Sequence, residues 1–194
     1  MSQQEHDITK SWKRNFNIAF SLCLMHQRAL TVPMRNQYGV QALGTPCAFA
    51  VALMLVWHMA TQDPFMLVWL GVWLLYYIKR RVEAMKLAKS GAKIMSRYDG
   101  WPFDGLKFVK SEYAAKRFAE PILCGILGGI LFWLYTENGL RPTGLPYFFL
   151  LGVFSLPSIE AVKKMAWDKR IEGMHDARIE QEMAVEDYRN RYGE

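Results

Sequence analysis

The sequence FMLVWLGVWLLYYI occupies residues 65–78 and is followed at once by KRR at residues 79–81. Nothing in the apolar stretch is more polar than tyrosine. The basic residues come where a membrane-crossing helix would reach the lipid headgroups. Each Leu, Ile, Phe or Val near the centre of such a helix favours insertion by about 0.3–0.6 kcal/mol. The stretch therefore predicts a helix that crosses a membrane.

Three further apolar runs lie at residues 43–60, 122–135 and 145–159. The turn-forming pair Asp63-Pro64 separates the first two runs, and Asn138-Gly139 separates the last two. We therefore predict an all-α integral membrane protein with four transmembrane helices, arranged as two antiparallel hairpins. A strict apolar core of about 14 residues rises only about 21 Å, short of the roughly 30 Å hydrocarbon layer, so re-entrant hairpins or a soluble helical protein are the alternatives.

The basic residues predict the orientation. Of the 24 Lys and Arg, 23 lie outside the two connections at residues 61–64 and 136–144, and the exception is Arg141. Because basic residues are enriched on the cytoplasmic side, both termini and the central loop are predicted to be cytoplasmic, in a bacterial-type inner (plasma) membrane. Residues 1–10 are polar, and no cleaved signal peptide is expected after them.

Five segments follow from this topology. They are an amino-terminal cytoplasmic region (1–40), a first hairpin (41–78), a basic cytoplasmic loop (79–120), a second hairpin (121–159) and a cytoplasmic carboxy-terminal segment (160–194). Trp12, Phe16 and Cys23 fall on one helical stripe, which predicts an amphipathic helix ending at Pro33 that lies along the interface or packs on the cytoplasmic loops. The last segment predicts a long charged helix, capped near Ser158.

The two hairpins share a short pattern. Leu70-Gly71-Val72-Trp73 aligns with Leu151-Gly152-Val153-Phe154, and a proline precedes each. A tandem parallel repeat would explain this, and function often lies at the interface of such repeats. Chance similarity between two apolar hairpins is the equally weighted alternative.

Two surfaces are candidates for contact with other molecules. The residues predicted to contact lipid headgroups are Lys79, Arg80, Arg81, Lys86, Lys89 and Lys93. Anionic headgroups attract such residues at about 1 kcal/mol each, so nucleic acid is the less favoured partner. The aromatic residues predicted to form a docking surface are Tyr98, Trp101 and Phe103. The favoured alternative is that they seat the central loop at the headgroups.

The sequence indicates no catalytic residue, cofactor or metal ion. His58 is the one histidine inside a predicted span, so a ligand role is considered, but its position near the turn favours an interfacial side chain. Glu172 and His175 have the Glu-x-x-His spacing of di-iron sites, which require further carboxylates on facing helices. A solvated face of a charged helix is the favoured interpretation. No P-loop, nucleophile elbow or zinc-protease motif is present.

The expected function is therefore non-catalytic: a subunit or scaffold of a larger membrane assembly. Protein partners are expected to bind through the cytoplasmic segments, and an oligomer of this chain is also possible. Residues 33–98, with a proline-containing lead, a short apolar hairpin and a basic exit, resemble small inner-membrane subunits of secretion and conjugation machines. This chain departs from them by its second hairpin. The alternatives are a small-solute channel or transporter built on the repeat, and a membrane enzyme with a cytoplasmic-face site.

Overall fold

The computed structural model describes residues 3–91, 96–102, 104–106 and 109–193. Over these residues the protein is 83% helical and has no strand, which confirms the all-α prediction. The α-helices are α1 (Gln3–Met34), α2 (Thr45–Thr61), α3 (Pro64–Lys89), α4 (Glu112–Ala114), α5 (Glu120–Glu137) and α6 (Leu145–Tyr192). A π-helical turn, Ala115–Ala119, joins α4 to α5, and 3-10 turns lie at Gln41–Leu43 and Asp104–Leu106.

Three helical segments of the described chain are long and apolar enough to cross a membrane. They are Gln41–Thr61, Glu112–Glu137 and Leu145–Arg189. Helix α3, which was predicted to be a fourth, is apolar over residues 65–78 but carries Lys79, Arg80 and Arg81 in the same helix. Its charge, not its length, separates it from the other three.

Helix α1 differs from the predicted interfacial helix. It continues through Pro33 to Met34, and residues 26–32 are buried on every side, including Gln27 and Arg28. Among these polar side chains, His26 finds its partners on another helix, α6. His26 contacts the Ser155 hydroxyl at 2.7 Å and the Phe148 carbonyl at 2.9 Å. The preceding residues whose burial is described, 14–22, are mainly exposed.

Helices α2, α3 and α6 surround this buried part of α1. α2 and α3 pack on each other and on α1, and the Trp73 indole of α3 donates to the Arg28 carbonyl at 3.1 Å. On the α6 side, a Cβ added to Gly152 would lie 2.6 Å from the Leu30 side chain. The buried part of α1, which contains polar residues, therefore packs among the apolar helices α2, α3 and α6.

Glycines set the spacing between α5 and α6. A Cβ added to Gly128 would lie 2.9 Å from the Leu150 side chain, and one added to Gly125 would lie 3.2 Å from Val153. Small residues allow such close approach. A Cβ added to Gly129 would meet no atom within 4 Å.

The Asp63 side chain ties the α2–α3 turn to the start of α6. Asp63 is buried and caps α3 by accepting from the Phe65 amide at 3.0 Å. It also accepts from the Tyr135 hydroxyl at 2.9 Å and from the Leu145 amide at 2.7 Å. A Cβ on Gly144 would collide with this carboxylate, so the approach requires glycine. The sequence marked Asp63 only as part of a turn.

The aligned glycines of the two halves have different surroundings. A Cβ added to Gly71 would meet no atom within 4 Å, whereas a Cβ added to Gly152 would meet Leu30 and Cys124. The repeat stays a prediction.

The chain forms two compact units, Met1–Ile159 and Glu160–Glu194. The predicted cap at Ser158 is wrong, because α6 continues through Pro157 and Ser158, whose hydroxyl donates to the Phe154 carbonyl at 2.7 Å within the helix. In the second unit, every described residue from Lys164 onward is exposed.

Candidate functional site: an ion-pair cluster at one end of the bundle

Two buried arginines lie at the end of α1. Arg28 is in the helix and Arg35 directly follows its last residue, with its amide donating to the Thr31 carbonyl at 2.8 Å. Both are buried, at 4% and 0% exposure. A buried guanidinium is stable only with charged and hydrogen-bonding partners. Those partners come from two distant parts of the chain, the loop at residues 96–102 and the start of α5.

Arg35 pairs with Glu120, the first residue of α5, and neither side chain is accessible to solvent. The Arg35 Nε lies 3.0 Å from both carboxylate oxygens, and Nη2 lies 2.6 Å from Oε2. This forked geometry is the strongest form of the arginine–carboxylate contact. Arg35 Nη1 also donates to the Asp99 carbonyl at 3.3 Å.

Arg28 pairs with Asp99 through a short contact between Nη2 and Oδ1. The loop that carries Asp99 is held by backbone hydrogen bonds. Asn36 and Trp101 exchange two of them, at 3.1 and 2.6 Å. Gly100, which directly precedes Trp101, adopts φ +83°, and a Cβ there would lie 2.9 Å from the Asn36 carbonyl. Only glycine fits this close approach without strain.

Tyrosines complete the cluster on the loop side. The Tyr98 hydroxyl donates to Glu112 at 2.7 Å, and Lys116 donates to the same oxygen at 2.6 Å. Burial, followed by the hydrogen bond and negative charge of Glu112, raises the pKa of Tyr98. Burial raises the pKa of Tyr38 to about 12, and its hydroxyl donates to the Thr31 carbonyl at 2.9 Å. Both rings therefore remain neutral donors at physiological pH.

The predicted docking surface falls partly within this cluster. Tyr98 is half-buried and hydrogen-bonded, as described above, whereas Trp101 is 44% exposed. Phe103 lies outside the described residues. The loop thus closes the end of α1 with one aromatic side chain and presents another at the surface. Whether Trp101 contacts lipid or protein stays a prediction.

The predicted headgroup-contact residues separate into two groups. Lys79, Lys86 and Lys89 are exposed along α3. Arg80 pairs with Glu83 at 2.8 Å, and Arg81 donates to the Val40 carbonyl at 2.9 Å. Lys93 lies outside the described residues. Whether the exposed lysines contact anionic headgroups stays a prediction.

His58 serves the turn at the end of α2. Its Nδ1 lies 2.8 Å from the Asp63 carbonyl, which can only accept, so Nδ1 carries the proton of this bond. Glu172 and His175 are exposed in the second unit. Across the described residues, no group of three or more His, Cys, Asp or Glu side chains could hold a metal ion.

The cluster therefore fixes the loop and α5 to the end of α1 by charge. Sequence reasoning singled out Tyr98 and Trp101 from their aromatic density, as a docking surface that stays a prediction, and it did not single out Arg28, Arg35, Asp99 or Glu120. Two arginines seven residues apart in an otherwise apolar helical stretch were the available signal. Neither family models, nor curated proteins, nor solved structures match the chain.

Proposed function

We propose that this chain is an integral membrane protein whose four spans are α2, α3, α5 and the first part of α6, paired as two hairpins around α1. The distribution of polarity carries the proposal. The bundle encloses Arg28, Arg35 and Glu120 while its outer surface is apolar. The exposed apolar residues include Val56, Val68, Leu75, Ile122, Trp133 and Phe154, each at least 60% exposed. In water so large an apolar surface would drive association, whereas lipid tails would cover it.

The helices extend beyond the short apolar runs. α3 has 26 residues, which rise about 39 Å, but its apolar part at residues 65–78 rises only about 21 Å, so Lys79 has to extend along the helix to reach the headgroups of a hydrocarbon layer of roughly 30 Å. Helix α5 continues α4 and the π-helical turn, and together these span Glu112–Glu137. The exposed Lys79, Lys86 and Lys89 then mark the cytoplasmic side, and the exposed Arg141 lies opposite.

Within that membrane frame, we propose a non-catalytic role as a subunit or scaffold of a larger assembly, of which secretion or conjugation machinery is an example. The second unit supports it. Trp167, Ile171 and Met174 lie at helical spacing on one face of α6, and each is between 46% and 57% exposed. Charged residues occupy the opposite face, including Lys169 and Asp176. An apolar face on a charged helix is suited to a protein partner.

The alternatives make different demands on the bundle. A channel or transporter needs polar groups that remain open to a solute, yet His26 and Ser155 are buried and hydrogen-bonded to each other. An enzyme needs a nucleophile with an accessible reacting atom. The same Ser155–His26 contact has the atoms of such a pair, but neither side chain reaches solvent appreciably. Both alternatives stay less favoured proposals.

The test is purification of the full chain from its native membranes in a mild detergent, with the mass of the complex measured by light scattering. The proposal expects a stoichiometric protein partner. Trp167→Ala with Ile171→Ala should release the partner, and the matched control, Lys169→Ala with Asp176→Ala on the opposite face, should retain it. An isolated monomer from the unmodified chain would contradict the subunit role.

A further inference from the structure

A cavity of about 620 Å³ lies beside the start of α2, at the cluster end of the bundle. Three separate parts of the chain each contribute one arginine to it: α1 contributes Arg28, α3 contributes Arg81 and the loop at residues 96–102 contributes Arg97. No Asp or Glu is among the described residues that line it. The lining therefore carries three formal positive charges, with Asp99 behind Arg28 as the nearby counter-charge.

Arg28 has hydrogen-bond donors that no group of the described protein accepts. Its Nη2 is taken by Asp99, and the Tyr38 ring lies 5.9 Å from its guanidinium carbon. Its Nε and Nη1 are buried and have no hydrogen-bond partner in the described protein. A charged donor that is buried without an acceptor is costly, so this position favours an acceptor from outside the protein.

Arg81 and Arg97 are positioned on the rim of the cavity. Arg81 donates through Nη1 to the Val40 carbonyl at 2.9 Å, and Arg97 donates through Nε to the Gln41 side chain at 3.3 Å. Each bond uses one nitrogen, and the other donors of both guanidinium groups have no partner among the described residues. The first residues of α2, Thr45 and Pro46, also line the cavity, and Gly44 provides no side-chain cap to that helix. The positive end of the α2 dipole adds to the arginines.

We propose that this cavity binds a phosphate group through the guanidinium groups of Arg28, Arg81 and Arg97. Arginine forks match the paired oxygens of phosphate, and three of them suit a dianionic phosphomonoester better than a single carboxylate. The same group could come from an acidic phospholipid headgroup or from a soluble phosphorylated molecule. The site does not depend on the proposed subunit role.

The test is calorimetry on the full chain in a non-ionic detergent and phosphate-free buffer. The probes are inorganic phosphate and short-chain phosphatidic acid, with short-chain phosphatidylcholine as the zwitterionic control. Arg97→Ala is the main variant because Arg97 is exposed and its removal leaves the core intact. Lys110→Ala is the matched control, since it removes one positive charge from an exposed residue that neither lines the cavity nor belongs to the predicted headgroup-contact residues.

We expect Arg97→Ala to weaken binding about 10-fold, which corresponds to one charged hydrogen bond, and Lys110→Ala to leave it unchanged. Arg97→Lys, which keeps the charge but loses the fork, should fall between them. Binding of both probes supports a site for phosphate from either source, and binding of phosphatidic acid alone supports a lipid site. Binding of neither probe would overturn the proposal, as would equal weakening by Arg97→Ala and Lys110→Ala, which indicates diffuse attraction.

Discussion

The contribution of the buried Arg35–Glu120 pair to stability can be measured by a double-mutant cycle. Both side chains have zero solvent exposure, and two Arg35 nitrogens contact the carboxylate at 2.6–3.0 Å. Glu120→Gln leaves the guanidinium buried without its counter-charge, which costs about 3–5 kcal/mol. Arg35→Met should cost less, because the remaining carboxylate can neutralise itself by binding a proton whereas arginine stays charged.

The double variant, Arg35→Met with Glu120→Gln, should recover most of the loss. It removes both charges, and uncharged replacements of a buried ion pair are often as stable as the pair. The free energy of unfolding would be measured in mixed micelles by titration with SDS, followed by far-UV circular dichroism. Arg178→Gln with Glu182→Gln removes an exposed pair and should leave stability unchanged. A Glu120→Gln protein as stable as the unmodified one, or losses that simply add, would refute the role of the pair.

Three further predictions concern the α5–α6 packing, the Asp63 turn and the buried Tyr38 hydroxyl. Gly128→Ala should destabilise the protein by about 1–3 kcal/mol, because the added Cβ meets Leu150. Gly129→Ala, whose added Cβ meets nothing, should be neutral or slightly stabilising. Equal melting temperatures of the two variants would contradict the α5–α6 contact. Asp63→Ala should cost about 2–4 kcal/mol, from the lost helix cap and the lost acceptor for two other donors, and an unchanged melting temperature would show that the tie is not made. The pKa of Tyr38 is raised to about 12 in the folded protein, so the contribution of its neutral hydroxyl to stability is complete below about pH 10 and is lost between pH 10 and 12. The melting temperature of Tyr38→Phe should therefore fall less across that pH range than the melting temperature of the unmodified protein.

The four apolar runs could be located from sequence because their residues form long blocks with breakers between them. The predicted runs at residues 122–135 and 145–159 fall within α5 and α6. The position of α1 could not be predicted, because its amphipathic stripe is equally compatible with an interface or a core. Its burial depends on partners more than 120 positions away, such as Phe148 and Ser155 for His26.

The ion-pair cluster lay beyond sequence reasoning for the same reason. Arg35 and Glu120 are separated by 85 positions, and nothing local marks them as partners. Asp63 was visible only as a turn residue, although it accepts from donors of three other residues. Local patterns predict which residues form a helix, whereas long-range pairing determines which faces are buried.

The most direct test of the proposed membrane topology is cysteine labelling in intact cells. Single cysteines would be introduced at two exposed positions, Asn138→Cys and Ser90→Cys, after Cys23, Cys47 and Cys124 are replaced by alanine. A membrane-impermeant maleimide should label the position at residue 138 in intact spheroplasts and the position at residue 90 only after lysis. Labelling of both positions without lysis, or release of the protein from membranes by alkaline carbonate, would contradict the proposed spans.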